Sequence, residues 1–224
     1  DGRGVGDRSQ VESAVSAARA EWMEKWSVAL TADEEPISYY RVIQALNDTL
    51  DPDNSIVTHD AGAPRDTIVP FYMATAPHSY IGWGQTTHLG FGIPLMIGAK
   101  MAAPQKFCLN LMGDGAFGMS GTDIETSVRS GAAITTVLLN NSAMATYSGP
   151  TQGTIGAEAR ERYGVSTMQG DYAKIAEGMG AVGITVKKAA ELAPALKEAQ
   201  RLNANNQTVL IDVHANVEDR RSRF

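Results

Sequence analysis

A carboxylate between two glycines stands near the middle of the chain, in the run LMGDGAFG. Gly113 and Gly115 allow positive φ angles and a close approach of the backbone to a ligand, and the amides of Gly115 and Ala116 can face an anion just before the next helix. Asp114 would repel a bare phosphate, but a divalent cation between the two groups removes that repulsion. The pattern therefore favours Asp114 as a metal ligand beside a phosphate.

A second polar pair follows after one helix-sized interval. The apolar, β-branched run AITTVLLNN ends in Asn140 and Asn141, and a loop through Ser142 and Ala143 comes next. Mg²⁺ prefers six oxygen ligands and commonly takes one or two from the protein, with phosphates and water supplying the rest. Each motif alone is typical of an ordinary turn. Together, at the ends of two strands, they predict a metal–diphosphate site.

Alternating strands and helices are needed to bring these two motifs together. The strand candidates NSIVTHD, KFCLNLMG, AITTVLLNN, AVGITV and QTVLIDVHA alternate with helical stretches. Short buried strands separated by helices predict an α/β fold, a doubly wound and mostly parallel sheet with helices on both faces. Ligands of such sheets lie beyond the carboxyl ends of the strands, near a switch point, and both motifs fall at such ends.

The N-terminal region is expected to differ from the rest of the chain. Residues 1–35 are interpreted as a Gly-rich linker and a docking helix over about residues 10–30, and residues 36–224 as the binding domain. Trp22 and Trp26 fall one helical turn apart, which favours a docking face. A second helix is predicted in EEPISYYRVIQALNDTL, with Pro36 in its first turn.

Composition limits the possible functions. The chain has 224 residues and a formal net charge of −6. This charge argues against nucleic-acid binding, which needs Lys and Arg, and no apolar run is long enough to span a membrane. Cys108 is interpreted as a small buried hydrophobe, and a single cysteine suits a reducing, cytoplasmic location. Because the chain opens on Asp1, we expect a processed, truncated or otherwise non-natural start, or a subunit of a split enzyme.

The two motifs make the chain similar to a known family. Gly113-Asp114-Gly115 followed by Asn140-Asn141 resembles the thiamine-diphosphate binding signature, and the run AFGMSGTDIETSVRSGAAITTVLLNN resembles its counterpart in the acetolactate synthase and oxalyl-CoA decarboxylase superfamily. The resemblance covers residues 37–214. Upstream, SYIGWGQTTHLGFGIPLMIGAK is similar to the segment that holds the pyrimidine of the cofactor and bends it into a V shape.

The resemblance implies two cofactors, thiamine diphosphate and Mg²⁺, and a set of residues that hold them. It implies that the side chains of Asp114 and Asn141 and the main-chain carbonyl of Ala143 ligate Mg²⁺. Gly113, Gly115 and Ala116 line the diphosphate by the same resemblance. The loop HDAGAP resembles the diphosphate-side loop of the family, with backbone contacts from Ala61, Gly62 and Ala63.

Other residues are expected on the ring and substrate side. The resemblance implies that the carbonyl of Thr87 faces the pyrimidine amino group and that Leu89 is the apolar wedge between the rings. His88 is a candidate proton shuttle, because histidine titrates near neutral pH, or else a structural residue beside a Gly-rich turn. Met144 and Tyr147 either line the substrate pocket as candidate catalytic residues or only pack a loop.

The implied activity is that of a thiamine-diphosphate-dependent lyase or transferase. By resemblance, the C2 carbanion of the cofactor adds to a small-molecule 2-oxo acid or 2-hydroxyacyl substrate, including an acyl-CoA, and a C–C bond breaks or forms in a decarboxylase or carboligase reaction. The family activates its cofactor with a glutamate from a pyrimidine-binding domain, which no segment here resembles. Asp123 and Glu125 are interpreted instead as solvated or helix-packing residues. The C-terminal run DRRSRF is interpreted as a solvated terminus.

The chain is thus expected to be the C-terminal, diphosphate-binding portion of a larger enzyme. Its pyrimidine-binding domain would come from a missing N-terminal region or a separate subunit, in a homo- or hetero-oligomer without nucleic acid or membrane. Two alternatives stay open from the sequence: a catalytically silent cofactor-binding or regulatory subunit, and an unrelated nucleotide-binding α/β domain.

Overall fold

A parallel sheet runs through the centre of the molecule. The computed structural model describes residues 8–82, 84, 88–143, 161–164, 167–220 and 222. Within them, five strands pair in parallel in the order β1-β2-β3-β5-β4. The strands are β1 Ser55–His59, β2 Phe107–Gly113, β3 Thr135–Asn140, β4 Val182–Val186 and β5 Val209–His214. The chain crosses the sheet in one direction from β1 to β4 and returns from β4 to β5, and this reversal is expected of a doubly wound fold.

Helices cover both faces of this sheet, as the sequence predicts. The helices in the described ranges include α1 Ser9–Leu30, α2 Tyr39–Thr49, α3 Ala63–Ile68, α4 Gly92–Ala102, α5 Asp114–Ser120, α6 Asp123–Ser130, α7 Tyr172–Gly178 and α8 Leu192–Ala204. Alternate residues of β2 face opposite sides: Leu109 and Leu111 join one hydrophobic core, whereas Cys108 and Met112 join the other. This alternation follows from the two-residue period of a strand. The doubly wound α/β fold is confirmed.

The strand register brings the two sequence motifs to one edge. Gly113 at the end of β2 pairs with Leu139 of β3, and Asn140 pairs with His214 of β5. Adjacent strands lie about 4.8 Å apart, so residues that follow paired positions are neighbours. Asp114 and Asn141 therefore leave neighbouring strands at the same edge of the sheet.

Helix α1 packs against the rest of this chain through its tryptophans. The ring of Trp26 lies 4.8 Å from that of Tyr40, and the ring of Trp22 lies 5.9 Å from that of Phe71, measured between centroids. The helix spans Ser9–Leu30, close to the predicted range. The face that carries the tryptophans thus covers α2 and the residues after α3, while the division of the chain at residue 35 stays a prediction.

The predicted start of the second helix is wrong. Pro36 precedes α2 and is not in its first turn, because Ile37 forms a parallel bridge with Ala215 and donates its N–H to the carbonyl of His214 at 3.0 Å. Because the backbone is extended at this point, the helix begins only at Tyr39. Ser38 is the N-cap, and its side chain accepts the N–H of Tyr40. The start of α2 is thereby tied to the carboxyl end of β5.

The expectation of a solvated C-terminal run is wrong for Arg220 and Ser222, while Asp219 is exposed as expected. Glu218 and Ser222 are buried, and the Arg220 guanidinium contacts Glu218 through Nε at 2.6 Å. The hydroxyl of Tyr40 donates to the carbonyl of Arg220 at 2.9 Å. Ser222 donates its hydroxyl to the carbonyl of Asp66 at 3.1 Å. The two hydroxyl contacts hold this segment against α2 and α3, while its charged groups Arg220 and Glu218 pair with each other.

Two further expectations concern a thiol and a membrane. Cys108 is fully buried in β2, and burial raises the pKa of its thiol to about 11, which confirms the reading of an inert hydrophobe. Among the helices that the structure describes, none combines the length and the apolar character needed to cross a bilayer.

Candidate functional site

The Asp114 carboxylate is the centre of the candidate site. Asp114 follows the last residue of β2 and begins α5, so Gly115 and Ala116 lie in the first turn of that helix and not before it. Its side chain is 2% exposed. Oδ1 accepts the N–H of Gly115 at 2.8 Å, whereas Oδ2 is buried and has no hydrogen-bond partner in the described structure. A buried carboxylate oxygen without a partner is costly unless something else binds it.

Burial also raises the pKa of Asp114, because desolvation disfavours the charged carboxylate. The backbone N–H groups of Gly115, Ser142 and Ala143 face the carboxylate and act in the opposite direction. The N–H of Ala143 donates its well-formed hydrogen bond to Asn141, so its effect on Asp114 is that of a nearby dipole. These contacts show that the loop after β3 lies directly against Asp114.

Asn141 presents its amide oxygen to the same loop. Its Oδ1 accepts the N–H of Ala143 at 2.9 Å, and its Nδ2 donates to the hydroxyl of Tyr39 at 2.6 Å. Backbone contacts with a later segment hold this loop in place. Ala143 forms a bridge with Thr167, and the carbonyl of Ser142 accepts the N–H of Met168 at 3.0 Å. An amide oxygen accepts two hydrogen bonds, so Oδ1 retains one free lone pair.

This group of atoms is suited to Mg²⁺. It combines one unpartnered carboxylate oxygen on Asp114, one amide oxygen on Asn141 and the main chain of Ala143. Three or more His, Cys, Asp or Glu residues do not come together in a metal-binding group anywhere in the described ranges. A site with one carboxylate and neutral oxygens suits a hard cation that takes its remaining ligands from phosphate and water.

A second carboxylate, Asp60, organises the loop after β1. Asp60 is fully buried, and its Oδ1 accepts the N–H of Ala61 at 2.7 Å. Gly62 adopts a φ of 84°, which suits glycine, and Ala63 begins α3. The N–H of Ala61 is therefore already engaged, whereas the N–H groups of Gly62 and Ala63 make no backbone hydrogen bond within the described ranges.

Asp60 also holds the segment that resembles the pyrimidine-side loop. Its two oxygens accept the N–H groups of Gly90 and Gly92, each at 2.9 Å. Between these contacts, Leu89 is half-buried against the core beside α4. His88 is exposed, and its Nδ1 lies 3.1 Å from the carbonyl oxygen of Leu89. The structure thus brings Leu89 and His88 to the edge that carries Asp60, and their roles stay predictions.

Sequence reasoning missed Asp60, Tyr39 and Tyr172 as parts of this edge. The sequence did contain a signal for Asp60. It is an acidic residue that directly follows a buried strand and precedes Gly62 by two positions, and Asp114 likewise directly follows a buried strand. Tyr172 is the first residue of α7 and lies near Asp212. Its burial, together with the nearby negative charge of Asp114, raises the pKa of its hydroxyl to about 12. No local pattern marks either tyrosine, since both come from helix starts far away in the chain.

The remaining predicted residues have simple outcomes. Thr87, Met144 and Tyr147 lie outside the described residues. Glu125 forms an exposed ion pair with Arg129 one helical turn away, at 2.9 Å, which confirms its interpretation as a solvated helix residue.

Comparison with known proteins identifies the family. Residues 60–213 match the model of the thiamine pyrophosphate enzyme, C-terminal TPP binding domain. The chain belongs to this family. The matched range begins at Asp60 and contains Asp114 and Asn141, so the edge described above, apart from Tyr39, lies within the thiamine-pyrophosphate-binding domain.

Individual relatives agree with this assignment. The chain is 31% identical over 202 residues to a Bacillus subtilis (strain 168) protein named as thiamine pyrophosphate-containing, covering 88% of this chain and 33% of that protein. It is 29% identical over 195 residues to the acetolactate synthase isozyme 3 large subunit of Escherichia coli (strain K12), covering 86% and 33%. It is 28% identical over 187 residues to 2-hydroxyacyl-CoA lyase 2 of Bos taurus, covering 83% and 29%.

These matches confirm the resemblance and the cofactor of the family, thiamine diphosphate, also called thiamine pyrophosphate. The alternative of an unrelated nucleotide-binding domain is wrong, because the match spans the site itself. The chain spans about a third of the length of the relatives described here.

Proposed function

We propose that this chain holds the diphosphate end of thiamine diphosphate through a Mg²⁺ ion. Asp114 and Asn141 would bind the ion through their side chains and Ala143 through its main-chain carbonyl. The observation that carries the proposal is the buried and unpartnered Oδ2 of Asp114, beside the amide oxygen group of Asn141. A divalent cation at this point would complete the coordination of an oxygen that the fold leaves unsatisfied.

The surrounding residues have distinct proposed roles. The amides of Gly62, Ala63 and Ala116 face the phosphate groups, since backbone N–H groups at helix starts favour anions. Leu89 supports the cofactor rings from the loop that Asp60 holds. His88 lies at the exposed end of this loop, where a proton-transfer role is open to it.

The complete protein is proposed to be a lyase or carboligase. Thiamine diphosphate supplies a nucleophilic carbon that attacks a carbonyl group. The names of the relatives, acetolactate synthase and 2-hydroxyacyl-CoA lyase, favour a 2-oxo acid or a 2-hydroxyacyl compound, including an acyl-CoA, as the substrate. The protein part described here contributes binding and orientation, because its polar groups face the diphosphate end.

A second protein part is proposed to complete the pocket. The chain spans about a third of its relatives, so the activating glutamate and the pyrimidine-binding surface would come from another domain or subunit. A homo- or hetero-oligomer would then bring the two halves together.

Isothermal titration calorimetry tests the proposal on the chain as it stands. Thiamine diphosphate, up to millimolar concentration, is titrated into the protein in the presence of either Mg²⁺ or EDTA. ATP and NAD serve as competitors. We expect binding that requires the metal and that Asp114→Ala abolishes. Glu125→Ala is the matched control, because it removes an exposed carboxylate from the next helix and should leave binding unchanged. Metal-independent binding, no binding, or normal binding by Asp114→Ala would overturn the proposal.

A further inference from the structure

The hydroxyl of Tyr39 is the outer partner of the Asn141 amide. Asn141 Nδ2 donates to it at 2.6 Å, although the two residues lie 102 positions apart in the chain. Tyr39 is only 2% exposed, so water does not compete freely for this contact. A short hydrogen bond from the half-buried Asn141 to the buried Tyr39 restricts the rotation of both side chains.

The orientation of the Asn141 amide follows from its two neighbours. The N–H of Ala143 can only donate, so the amide atom that faces it must be the oxygen, at 2.9 Å. The NH₂ group then points to Tyr39, whose oxygen accepts it. A reversed amide would place its NH₂ against the N–H of Ala143, and both donors would lack an acceptor. The N–H of Ala143 therefore sets the orientation in which Oδ1 lies on the side of the candidate metal site, and the Tyr39 hydroxyl adds the second contact that holds the amide there.

Tyr39 is itself held by the backbone that leads to Asn141. Ile37, two residues earlier, forms a bridge with Ala215 at the end of β5. Ala215 in turn donates its N–H to the carbonyl of Asn140 at 2.9 Å. Ser38 caps α2 and donates its hydroxyl to Glu218 at 2.8 Å. The tyrosine and the asparagine are therefore anchored to the same two strand ends.

We propose that Tyr39 is a positioning residue that aligns Asn141 for the metal ion. The proposal rests on the function proposed above, in which Asn141 is a Mg²⁺ ligand. Loss of the hydroxyl would free the amide to rotate and would present NH₂ in place of oxygen to the ion for part of the time. Partners that orient a ligand from outside commonly change metal affinity by about 10- to 100-fold when they are removed.

Tyr39 does not act as a ligand in its own right. Burial and the negative charges of Asp114 and Glu218 raise its pKa further above its ordinary value of 10.0, so the phenol stays neutral at physiological pH. A neutral phenol is a poor ligand for Mg²⁺ compared with a carboxylate. Its contribution is the hydrogen bond to Asn141.

The neighbouring Tyr40 provides a matched control. It is also buried, and its hydroxyl also makes hydrogen bonds, in this case to the carbonyl of Arg220 at 2.9 Å and from the N–H of Ser222 at 3.1 Å. Tyr40→Phe therefore removes the same atom from the adjacent residue of the same helix but does not touch Asn141. Any general effect of losing a buried hydroxyl in α2 should appear in both variants.

The test compares Tyr39→Phe with Tyr40→Phe in two measurements. Calorimetric titration of Mg²⁺ at saturating thiamine diphosphate should show a dissociation constant about 10- to 100-fold higher in Tyr39→Phe and within about 2-fold of wild type in Tyr40→Phe. NMR of the metal-free protein should show faster hydrogen exchange of the Asn141 side-chain NH₂ in Tyr39→Phe alone. The second measurement reports whether the Asn141 NH₂ group is held by a hydrogen bond, and it needs no cofactor.

Asn141→Asp gives a third arm, because its two equivalent oxygens have no NH₂ to misplace. Tyr39→Phe should therefore weaken Mg²⁺ binding much less in the Asn141→Asp background than in wild type. If the wild type itself binds no Mg²⁺ with thiamine diphosphate, the proposed function fails and takes this inference with it. If the wild type binds and Tyr39→Phe matches wild type or Tyr40→Phe, or if Asn141→Asp gives no suppression, only the inference is overturned.

Discussion

Asp60 Oδ2 accepts the backbone N–H of Gly92 at 2.9 Å and so joins the end of β1 to the start of α4. Its other oxygen accepts the N–H groups of Ala61 and Gly90. One buried carboxylate thereby satisfies three backbone donors in two loops that sequence reasoning treated as separate. The loop that contains Leu89 owes its position at the site edge to this contact.

Asp60→Asn should destabilise the fold and loosen this loop. An amide offers one acceptor oxygen where the carboxylate offers two, so at least one N–H of the group would face an NH₂. A buried donor left without an acceptor costs about 1–3 kcal/mol, which should appear as a lower free energy of unfolding in urea. Hydrogen exchange at Gly90 and Gly92 should become faster. Asp66→Asn, at an exposed residue of α3, is the control, and an equal effect of the two changes would contradict the prediction.

Gly92 and Gly98 in α4 should respond oppositely to alanine. A Cβ on Gly92 would lie 2.1 Å from Asn110 Oδ1, inside the core, whereas nothing lies within 4 Å of a Cβ on Gly98. Gly92→Ala should therefore cost about 1–3 kcal/mol or more of stability through overpacking. Gly98→Ala should add up to about 1 kcal/mol, because alanine is the better helix former. Thermal or urea unfolding measures both.

The Asn110 side chain makes the cause of the Gly92 effect testable. Its Oδ1 is buried without a hydrogen-bond partner in the described structure, and its Nδ2 donates only to the weak acceptor Sδ of Met112 at 3.2 Å. The double variant Gly92→Ala with Asn110→Ala should be more stable than Gly92→Ala alone. If the second change brings no recovery, the clash is not the source of the destabilisation.

The sequence was sufficient to predict the position of Asp114 and Asn141. Both follow apolar strands, and the carboxyl ends of parallel strands share one edge, so a local pattern and a general rule of topology place them together. The doubly wound sheet was predictable for the same reason, since its buried strands and intervening helices differ in hydrophobic period.

Other parts of the site depend on contacts that have no local signature. Tyr39 reaches Asn141 across 102 positions, and Asp60 reaches Gly92 across 32. Such pairs are decided by tertiary packing. The same cause explains the error at Pro36, where a bridge from Ile37 to Ala215 keeps the backbone extended. Proline is typical of a first helical turn, and here the contact with the sheet overrides that preference.

Arg220 should stabilise the C-terminal segment more than an ordinary surface arginine would. Its Nε lies 2.6 Å from Glu218, whose side chain is 3% exposed, while Arg220 itself is 33% exposed. Arg220→Met would leave a nearly buried carboxylate without its cation, which we expect to cost about 1–3 kcal/mol after allowance for the exposure of the arginine. The measurement is urea unfolding followed by circular dichroism.

Arg129→Met is the matched control for Arg220. It breaks the pair with Glu125, in which the two side chains are 66% and 51% exposed, and such pairs contribute about 0.3–0.5 kcal/mol. Ser38 still donates to Glu218 in the Arg220 variant, so the segment should loosen without general unfolding. Equal losses in the two variants would show that burial of Glu218 does not strengthen the contact.

Ionisation of Asp114 should weaken the metal-free fold. Burial raises the pKa of Asp114 above its ordinary value of 3.8, so the folded chain binds this proton more tightly than the unfolded chain does. The resulting stabilisation is complete below pH 3.8 and is lost as the pH rises through the raised pKa. The free energy of unfolding of the wild type, relative to Asp114→Asn, should therefore fall over this interval and then level off.

The comparison with Asp114→Asn isolates the titration of the Asp114 carboxyl group. Adding the metal ion tests whether a positive charge stabilises the ionised form of that group. Asp212 also has a raised pKa, but it is present in both proteins and cancels in the difference. Mg²⁺ with thiamine diphosphate should bind the ionised wild type and stabilise it by about 2.7 kcal/mol at 100 times the dissociation constant, with no gain in Asp114→Asn. Urea midpoints measured from pH 3 to 8, with and without the ligands, provide the data. If the difference in unfolding free energy between the two proteins is constant or rises with pH, burial does not disfavour the ionised carboxylate of Asp114 in the metal-free fold.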